Sequence, residues 1–251
     1  WLFRKVLRRL FVWRFSVEQP DRIILGIDTM VMDNDEAKKR EGVEPTYKKV
    51  KGFQPLQLYW GRYLIDAIFR NGKAHSNYGD HVIRMISTIA GLIRRYYRAN
   101  VPIVLTADSG FFDQKVLAYC EKLHIGLIVG GKMYEDIKEY VNATSDESFY
   151  EYKGAGNTWV FTEFGGRRKS WDKFYRVIYT KPVADECSQI LFDFARPETI
   201  IYTNLGLDNE ITRSILAQHD GQMTHISAQA IITAYHQRGC DELVNRGVKD
   251  F

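Results

Sequence analysis

The chain has 251 residues, of which 45% are hydrophobic, 14% aromatic and 26% charged, and its formal net charge is +4. This profile argues against bulk disorder and indicates a globular protein with one large core or two modest ones. Three distant cysteines without a CxxC pair argue against a disulfide framework or a zinc knuckle. No apolar run reaches the roughly 20 residues that span a bilayer, so we expect no membrane partner. The mild positive charge is compatible with a polyanionic partner without requiring one.

The chain opens with a basic amphipathic segment. Between Leu2 and Phe15, apolar residues recur at helical spacing, and arginines with one lysine occupy the other side. Such a helix is typical either of a membrane-surface or targeting element or of a helix packed on a core, and we favour the core. We predict a basic helical lead-in over residues 1–20, the end of a missing N-terminal region.

Strands and helices then alternate. The apolar run Arg22–Ile27 ends at Asp28 and predicts a buried strand, whereas the lysine-rich residues 33–51 predict a loop or solvated hairpin. Further predicted elements are a strand pair over 53–68, a helix over 80–97, a buried strand over 102–107, a helix over 114–123 and a strand over 125–129. Strand, helix, strand in this order is typical of an α/β core.

The character of the sequence changes after residue 130. Aromatic and apolar residues alternate with polar ones, and glycine pairs interrupt them. This pattern predicts antiparallel hairpins inserted into the α/β core. We therefore predict a β-rich insertion over residues 131–185 and a core built from residues 21–130 and 186–251, with mostly helical structure at the end.

Two of the predicted buried strands end in an aspartate, Asp28 and Asp108. Acids at the carboxyl ends of neighbouring strands in an α/β sheet can converge on one site. Two close carboxylates repel unless a cation separates them, and hard oxygen ligands suit magnesium or manganese. The alternative is that each aspartate only caps the turn that follows it, as aspartate often does.

A polar constellation follows near the C-terminus. Tyr235, Arg238, Glu242 and Lys249 fall within an arc of roughly 60° if the segment is helical. An acid flanked on one face by two cations and a phenol offers metal ligation beside phosphate contacts. Gly239 and Gly247 would each weaken such a helix by about 1 kcal/mol.

This Tyr-x2-Arg-x3-Glu-x6-Lys spacing resembles, without a gap, the signature of a large group of bacterial insertion-sequence transposases of the DDE type. Asp28 after a hydrophobic strand and Asp108 in Asp-Ser-Gly-Phe are similar to the first two acids of that group. The segments Asn71–Ser76 and Thr203–Leu205 also look like elements found there. The resemblance runs from about residue 22 to 251, and the chain looks like a catalytic-domain fragment.

The resemblance implies a ribonuclease H-like mixed sheet with flanking helices and an antiparallel β-rich insertion. It implies that Asp28, Asp108 and Glu242 form a catalytic triad holding two Mg²⁺ or Mn²⁺ ions, which would support DNA cleavage and strand transfer. The implied partner is DNA, both terminal inverted repeats and target DNA. A homodimer in the active complex and a location in the bacterial cytoplasm, with the nucleoid, are also expected.

Further DNA contacts are expected outside the triad. Tyr235, Arg238 and Lys249 would position phosphates. In some relatives an aromatic residue of the insertion stacks on a flipped base, and Trp171, which follows Arg167 and Arg168, is the preferred candidate over Trp159. Ordinary packing in a sheet is the alternative for both tryptophans.

Three functions remain open from the sequence. The first is an active DDE transposase. The second is a catalytically inactive DNA-binding remnant, and the third is a ribonuclease H-like nuclease that cuts without strand transfer. Acids at all three expected positions favour the first.

Overall fold

The computed structural model describes residues 2–36, 40–154, 157–183, 198–218 and 221–238. These residues form six α-helices: α1 (Leu2–Glu18), α2 (His81–Tyr96), α3 (Gln114–Lys122), α4 (Glu135–Ala143), α5 (Glu210–Ala217) and α6 (Ala228–Gln237). They also form twelve strands: β1 (Ile23–Thr29), β2 (Met32–Asp33), β3 (Glu44–Pro45), β4 (Lys51–Phe53), β5 (Leu56–Trp60), β6 (Tyr63–Ile68), β7 (Ile103–Ala107), β8 (Ile125–Gly130), β9 (Tyr150–Gly154), β10 (Asn157–Gly166), β11 (Tyr175–Pro182) and β12 (Thr199–Thr203).

Nine strands form one mixed sheet in the order β6-β5-β1-β7-β8-β12-β11-β10-β9. The neighbours β1, β7 and β8 are parallel, and every other adjacent pair is antiparallel. We call β6-β5-β1-β7-β8 the five-strand half and β12-β11-β10-β9 the four-strand half. The expected mixed sheet with flanking helices is confirmed by this arrangement.

The central strands are buried on both faces, which explains their continuous apolar sequences. On one face Ile23, Leu25 and Ile27 of β1 belong to the larger core cluster, where α1, α2 and α3 cover the sheet. On the other face Ile24 and Val104 pack in a second cluster with α5 and α6. The sheet therefore separates two layers of helices, and α6 packs on β7 and β8.

Helix α1 is fixed to the sheet by both apolar and charged contacts. Phe11 and Phe15 are buried against Trp60 of β5. The guanidinium groups of Arg4 and Arg8 both bind Asp66 of β6, whose side chain is fully buried. The basic side of this helix is thus partly engaged inside the protein.

The predicted insertion does not stand apart from the core sheet. Strands β9, β10 and β11 continue that sheet, because β11 pairs with β12 over five residue pairs from Arg176–Thr203 to Thr180–Thr199. Val177 and Ile178 are both fully buried, so β11 is covered on both faces like a central strand. The region also contains α4, which the aromatic alternation did not predict. The boundaries 131–185 stay a prediction.

The lysine-rich residues after β1 form a small separate sheet in the order β2-β4-β3. It lies at the carboxyl end of β1, where the Met30 N–H donates to the Pro55 carbonyl. Among the described residues, no helix is both long and apolar enough to cross a membrane.

Candidate active site

Two predicted acids lie side by side at one edge of the sheet. Asp28 is the penultimate residue of β1, and Asp108 directly follows β7. The strands are parallel and their register pairs Ile27 with Ala107, so the acids occupy the next matched position. Because side chains alternate along a strand, both acids project from the face that α5 and α6 cover.

Each acid is held by the backbone that follows it. Oδ1 of Asp28 accepts a hydrogen bond from the Thr29 N–H at 2.7 Å. Oδ1 of Asp108 accepts from the Gly110 N–H at 2.9 Å and caps a single 3₁₀ turn over Ser109–Phe111. Each aspartate can therefore cap its turn and still contribute to a cation site shared by both acids, because a carboxylate has two oxygens and about four acceptor positions.

The loop over residues 70–79 forms one wall beside Asp108. Asn77 Nδ2 donates to the Gly110 carbonyl at 3.0 Å. A Cβ at Gly110 would lie 2.6 Å from Ser76 Oγ and 3.0 Å from Asp108 Oδ1, so a larger residue there would displace the Ser76 hydroxyl. The Asp-Ser-Gly-Phe element is thus explained by packing as well as by its acid.

Arg70 stabilises the conformation of that loop through hydrogen bonds to backbone carbonyls. It is only 4% exposed and donates to three carbonyls, those of Gln54 at 3.0 Å, His75 at 3.2 Å and Ser76 at 3.3 Å. Burial lowers the pKa of Arg70 to about 10, which still leaves the guanidinium charged at neutral pH. The sequence contains no periodic signal for this role.

Tyr235 of α6 reaches the same edge of the sheet. A Cβ at Gly130, the last residue of β8, would collide with Tyr235 Oη and lie 3.0 Å from the Ser109 nitrogen. Burial raises the pKa of Tyr235; the positive charge of Arg238 opposes this effect and the negative charge of Asp108 adds to it. The phenol of the predicted signature therefore lies beside the second acid.

Arg238 ends α6 next to Tyr235, with its guanidinium carbon 5.3 Å from the ring centroid. It lines a cleft on the acid-bearing face together with Gly26 and Thr106, which precede the two acids by two residues on their strands. Its Nε is buried and has no hydrogen-bond partner among the described residues. Arg238 therefore contributes a positive charge to the cleft on the acid-bearing face.

Glu242 and Lys249, the other two residues of the signature, lie outside the described residues. Within the part of the chain that the structure describes, no group of three or more His, Cys, Asp or Glu side chains is placed to hold a metal ion. The described geometry therefore supplies two acids, a phenol and a guanidinium.

Comparison with known proteins identifies the family of the chain. The family model described as the transposase DDE domain, group 1, matches residues 3–250. The chain belongs to this family. The resemblance read from the signature is confirmed by that match. No curated protein matches the DDE domain in sequence.

A solved structure is also similar to this DDE domain. The cryo-EM structure of a piggyBac transposase synaptic complex with hairpin DNA matches it at a TM-score of 0.39 and 11% sequence identity. The match covers 90% of the DDE domain and 47% of that chain, so the DDE domain spans about half the length of this neighbour.

Two residues near the acids of the DDE domain were not predicted. Tyr47 lies in the turn between β3 and β4; burial, and then the charges of Asp28 and Asp108, raise the pKa of its phenol. Gln57 of β5 is paired in register with Asp28 and is buried, and it accepts a hydrogen bond from the Tyr59 hydroxyl at 2.7 Å. Both depend on pairing between distant segments, which no local pattern reports.

The Thr203–Leu205 element joins the halves of the sheet. The side chain of Asn204 is buried; its Oδ1 accepts from the Leu127 N–H at 2.8 Å and its Nδ2 donates to the Ile125 carbonyl at 3.2 Å. It therefore satisfies backbone groups of β8 where β12 ends. In this DDE domain the motif has a structural role.

The predicted DNA contacts Arg167, Arg168 and Trp171 each contact an aromatic ring. Trp171 is 7% exposed and packs against Phe112 at 4.8 Å between ring centroids, so this conformation presents no free ring face to a base. Arg168 stacks over the Tyr134 ring at 3.5 Å, and the exposed Arg167 lies 5.1 Å from the Phe174 ring. Trp171 is therefore packed against the core, and its role in stacking on a flipped base stays a prediction.

Trp159 has a different position. Its ring lies 4.7 Å from that of His236 on α6, adjacent to Tyr235. A second contact from the same half of the sheet joins the Tyr152 hydroxyl to Thr233 Oγ1 at 2.6 Å. The four-strand half therefore supports the helix that carries Tyr235 and Arg238.

Proposed function

We propose that this DDE domain is the catalytic part of a DNA transposase that cleaves DNA at the ends of a mobile element and joins the freed strand to target DNA. The observation that carries the proposal is the meeting of Asp28 and Asp108 at adjacent strand ends, under the helix that brings Tyr235 and Arg238. Membership of the DDE family supports it.

The described acids fit a site for divalent cations. Two carboxylates on neighbouring strands, on one face, repel each other unless a cation lies between them. Their oxygens are the hard ligands that Mg²⁺ and Mn²⁺ prefer. We propose that Asp28, Asp108 and Glu242 hold two such ions, which would supply an activated nucleophile and charge stabilisation for in-line displacement at phosphorus.

The remaining residues would position DNA. A guanidinium binds a phosphate through two parallel hydrogen bonds, and Arg238 lines the cleft on the acid-bearing face where such a contact would form. The Tyr235 hydroxyl, beside Asp108, offers a neutral donor at the same edge. We propose that Lys249 adds a further phosphate contact. Together these groups would hold the scissile phosphate against the acids.

The partners follow from the same proposal. They are the terminal inverted repeats and the target DNA, bound by a homodimer in the active complex, in a bacterial cell where the protein would be found with the nucleoid. An inactive DNA-binding remnant and a nuclease without strand transfer are the alternatives that the experiment distinguishes.

The test uses the full-length protein, DNA carrying the element's own terminal repeats, and Mg²⁺. Asp108→Asn keeps the cap on Gly110 but removes the charge. We expect cleavage to fall at least about 100-fold, the upper loss seen when even an outer partner of a metal ligand is removed. Gel assays of nicked and joined products measure the effect.

The matched control is Asp113→Asn. Asp113 also accepts backbone hydrogen bonds, from the Lys115 and Val116 N–H groups at the start of α3. Unlike Asp28 and Asp108, it does not lie at the end of a strand. We expect its activity to stay near that of the unmodified protein. Cleavage without joined product would favour the nuclease, and DNA binding without cleavage would favour the remnant; either result contradicts the proposal.

A further inference from the structure

The turn between β3 and β4 presents an unusual surface. Residues 47–51, which we call the hairpin tip, contain Tyr47, Lys48, Lys49 and Lys51, all exposed. Tyr47 is 64% exposed, although tyrosine usually buries most of its ring. The Lys48 ammonium lies 5.9 Å from the centroid of this ring.

The three lysines have no ion-pair partner among the described residues. Glu44 of β3 pairs with Lys73 of the neighbouring loop at 3.1 Å, and the Asp35 carboxylate accepts a hydrogen bond from the Lys51 backbone N–H at 3.1 Å. The tip therefore carries three exposed lysine ammonium groups beside one exposed aromatic ring. A surface of this composition matches a nucleic-acid strand, whose phosphates bind lysine and whose bases stack on aromatic rings.

The tip has a defined conformation. The Thr46 N–H donates to the Val50 carbonyl at 2.9 Å, and the Lys49 N–H donates back to the Thr46 carbonyl at 3.0 Å. Lys49 adopts a φ of 62°, in the left-handed region that non-glycine residues seldom occupy outside turns. The ring and the charges are thus presented by a closed turn.

Packing then fixes the hairpin beside the acids. Gly72 of the 70–79 loop lies so close to the hairpin that a Cβ there would be 2.6 Å from the Gly52 carbonyl oxygen. The same loop contacts Gly110 through Asn77. A chain of contacts therefore runs from the tip to the Asp108 turn, and the phenol of Tyr47 lies within the electrostatic influence of both Asp28 and Asp108.

We infer that the hairpin tip is a strand-binding element of the active site: Tyr47 stacks on an unstacked base next to the cleaved phosphodiester, while Lys48, Lys49 and Lys51 contact neighbouring phosphates. The inference rests on the proposed function, because it places the DNA strand at the two acids. Stacking requires access to a base face, which a base inside a regular duplex does not offer.

Binding assays test the inference without relying on cleavage. The full-length protein is titrated, without divalent cations, with a terminal-repeat duplex that carries 2-aminopurine in a short single-stranded extension at the cleavage site. Tyr47→Ala should weaken binding by about 5- to 150-fold, the range expected for loss of one base–aromatic stack. Tyr47→Phe keeps the ring and should bind within about 2-fold of the unmodified protein.

The lysines are tested by salt dependence. In the double variant Lys48→Ala/Lys49→Ala, the slope of log K against log salt should become shallower by about 1.4 to 1.8, since each lost phosphate contact removes roughly 0.7 to 0.9.

Fluorescence tests the stacking by Tyr47. Stacking should quench the 2-aminopurine fluorescence, and Tyr47→Ala should restore it. All these residues are exposed, so thermal unfolding should stay unchanged.

The matched control is the double variant Tyr150→Ala/Lys153→Ala. Tyr150 is 60% exposed, and both residues lie on β9, the outermost strand of the four-strand half. Its affinity and salt slope should match those of the unmodified protein. Tip variants that bind normally, or a control that weakens binding equally, would overturn the inference. If cleavage continued in normally binding tip variants, the proposed function would stand while this inference failed.

Discussion

The two halves of the sheet contribute differently to the candidate site. In the five-strand half, backbone pairing alone brings Asp28 and Asp108 together, because parallel strands in register end at the same edge. In the four-strand half, no proposed catalytic acid is present among the described residues. Its side chains instead contact α6, through Trp159 and Tyr152.

This difference separates two ways of positioning functional groups. The acids depend on strand register, which cannot shift without breaking many hydrogen bonds. The positions of Tyr235 and Arg238 depend on how α6 packs on the sheet. The side chains that contact α6, which we call the α6 seat, come from both halves. We therefore expect changes in the five-strand half to affect stability first, and changes in the α6 seat to affect catalysis more than stability.

The largest effect should come from Asp66→Asn in the five-strand half. Asp66 is fully buried and binds both Arg4 and Arg8. Removing one partner of a buried ion pair typically costs about 3–5 kcal/mol, and here two arginines lose their partner. Urea unfolding should show this loss. Glu151→Gln in the four-strand half is the control, because Glu151 and Lys153 are 59% and 78% exposed and such surface pairs contribute about 0–1 kcal/mol. Equal effects of the two changes would contradict the comparison.

An intermediate effect is expected for Trp159→Ala, which removes the ring that supports His236 of α6. Because Trp159 is only partly buried, the free energy of unfolding should fall by about 2 kcal/mol, less than the roughly 3–5 kcal/mol of a fully buried tryptophan. Cleavage of terminal-repeat DNA should fall at least about 10-fold, since a shift of about 1 Å in a positioning group can cost more than that.

A graded variant sharpens this prediction. Tyr152→Phe removes only the hydroxyl contact with Thr233 and should cost about 1 kcal/mol, with a smaller loss of cleavage. If both variants lost stability but kept full cleavage under conditions where they are folded, the four-strand half would support the fold and not the seating of α6.

The local parts of this architecture could be predicted from the sequence. The apolar runs before Asp28 and Asp108 specify buried strands, and the helical period of α2 places Val82, Ile86 and Ile89 on one face. The fold class followed from their alternation, and the family followed from residue spacing. These signals lie within single elements, so neighbouring residues are enough to reveal them.

Long-range features could not be predicted in the same way. The pairing of β11 with β12, the burial of Trp171 and the position of Tyr47 beside the acids all depend on contacts between distant segments. Arg70 is a further example, because a buried arginine that binds three carbonyls looks like any surface arginine in the sequence. Glu242, the third expected acid, stays a prediction.

The smallest effect concerns pH and again involves the seat of α6. Burial lowers the pKa of His236. In the unfolded chain an imidazole titrates near about 6.5, so below that pH the unfolded state binds a proton that the folded state resists. Stability should therefore be unaffected above that pH and should fall as the pH decreases below it, until the folded-state pKa is reached.

The measurement is the difference in melting temperature between about pH 7.5 and pH 5.5, the two sides of the unfolded pKa. This difference should be smaller in His236→Gln than in the unmodified protein. His81, the first residue of α2, gives the comparison: burial, followed by the charges of Arg70, Arg84 and Arg4, lowers its pKa as well. Its variant His81→Gln should also reduce the difference, but without changing cleavage, because α2 and α6 lie on opposite faces of the sheet. If the difference in melting temperature were the same in His236→Gln as in the unmodified protein, the imidazole beside Trp159 would be hydrated enough to titrate normally. That result would contradict the assignment of the Trp159–His236 contact to the α6 seat.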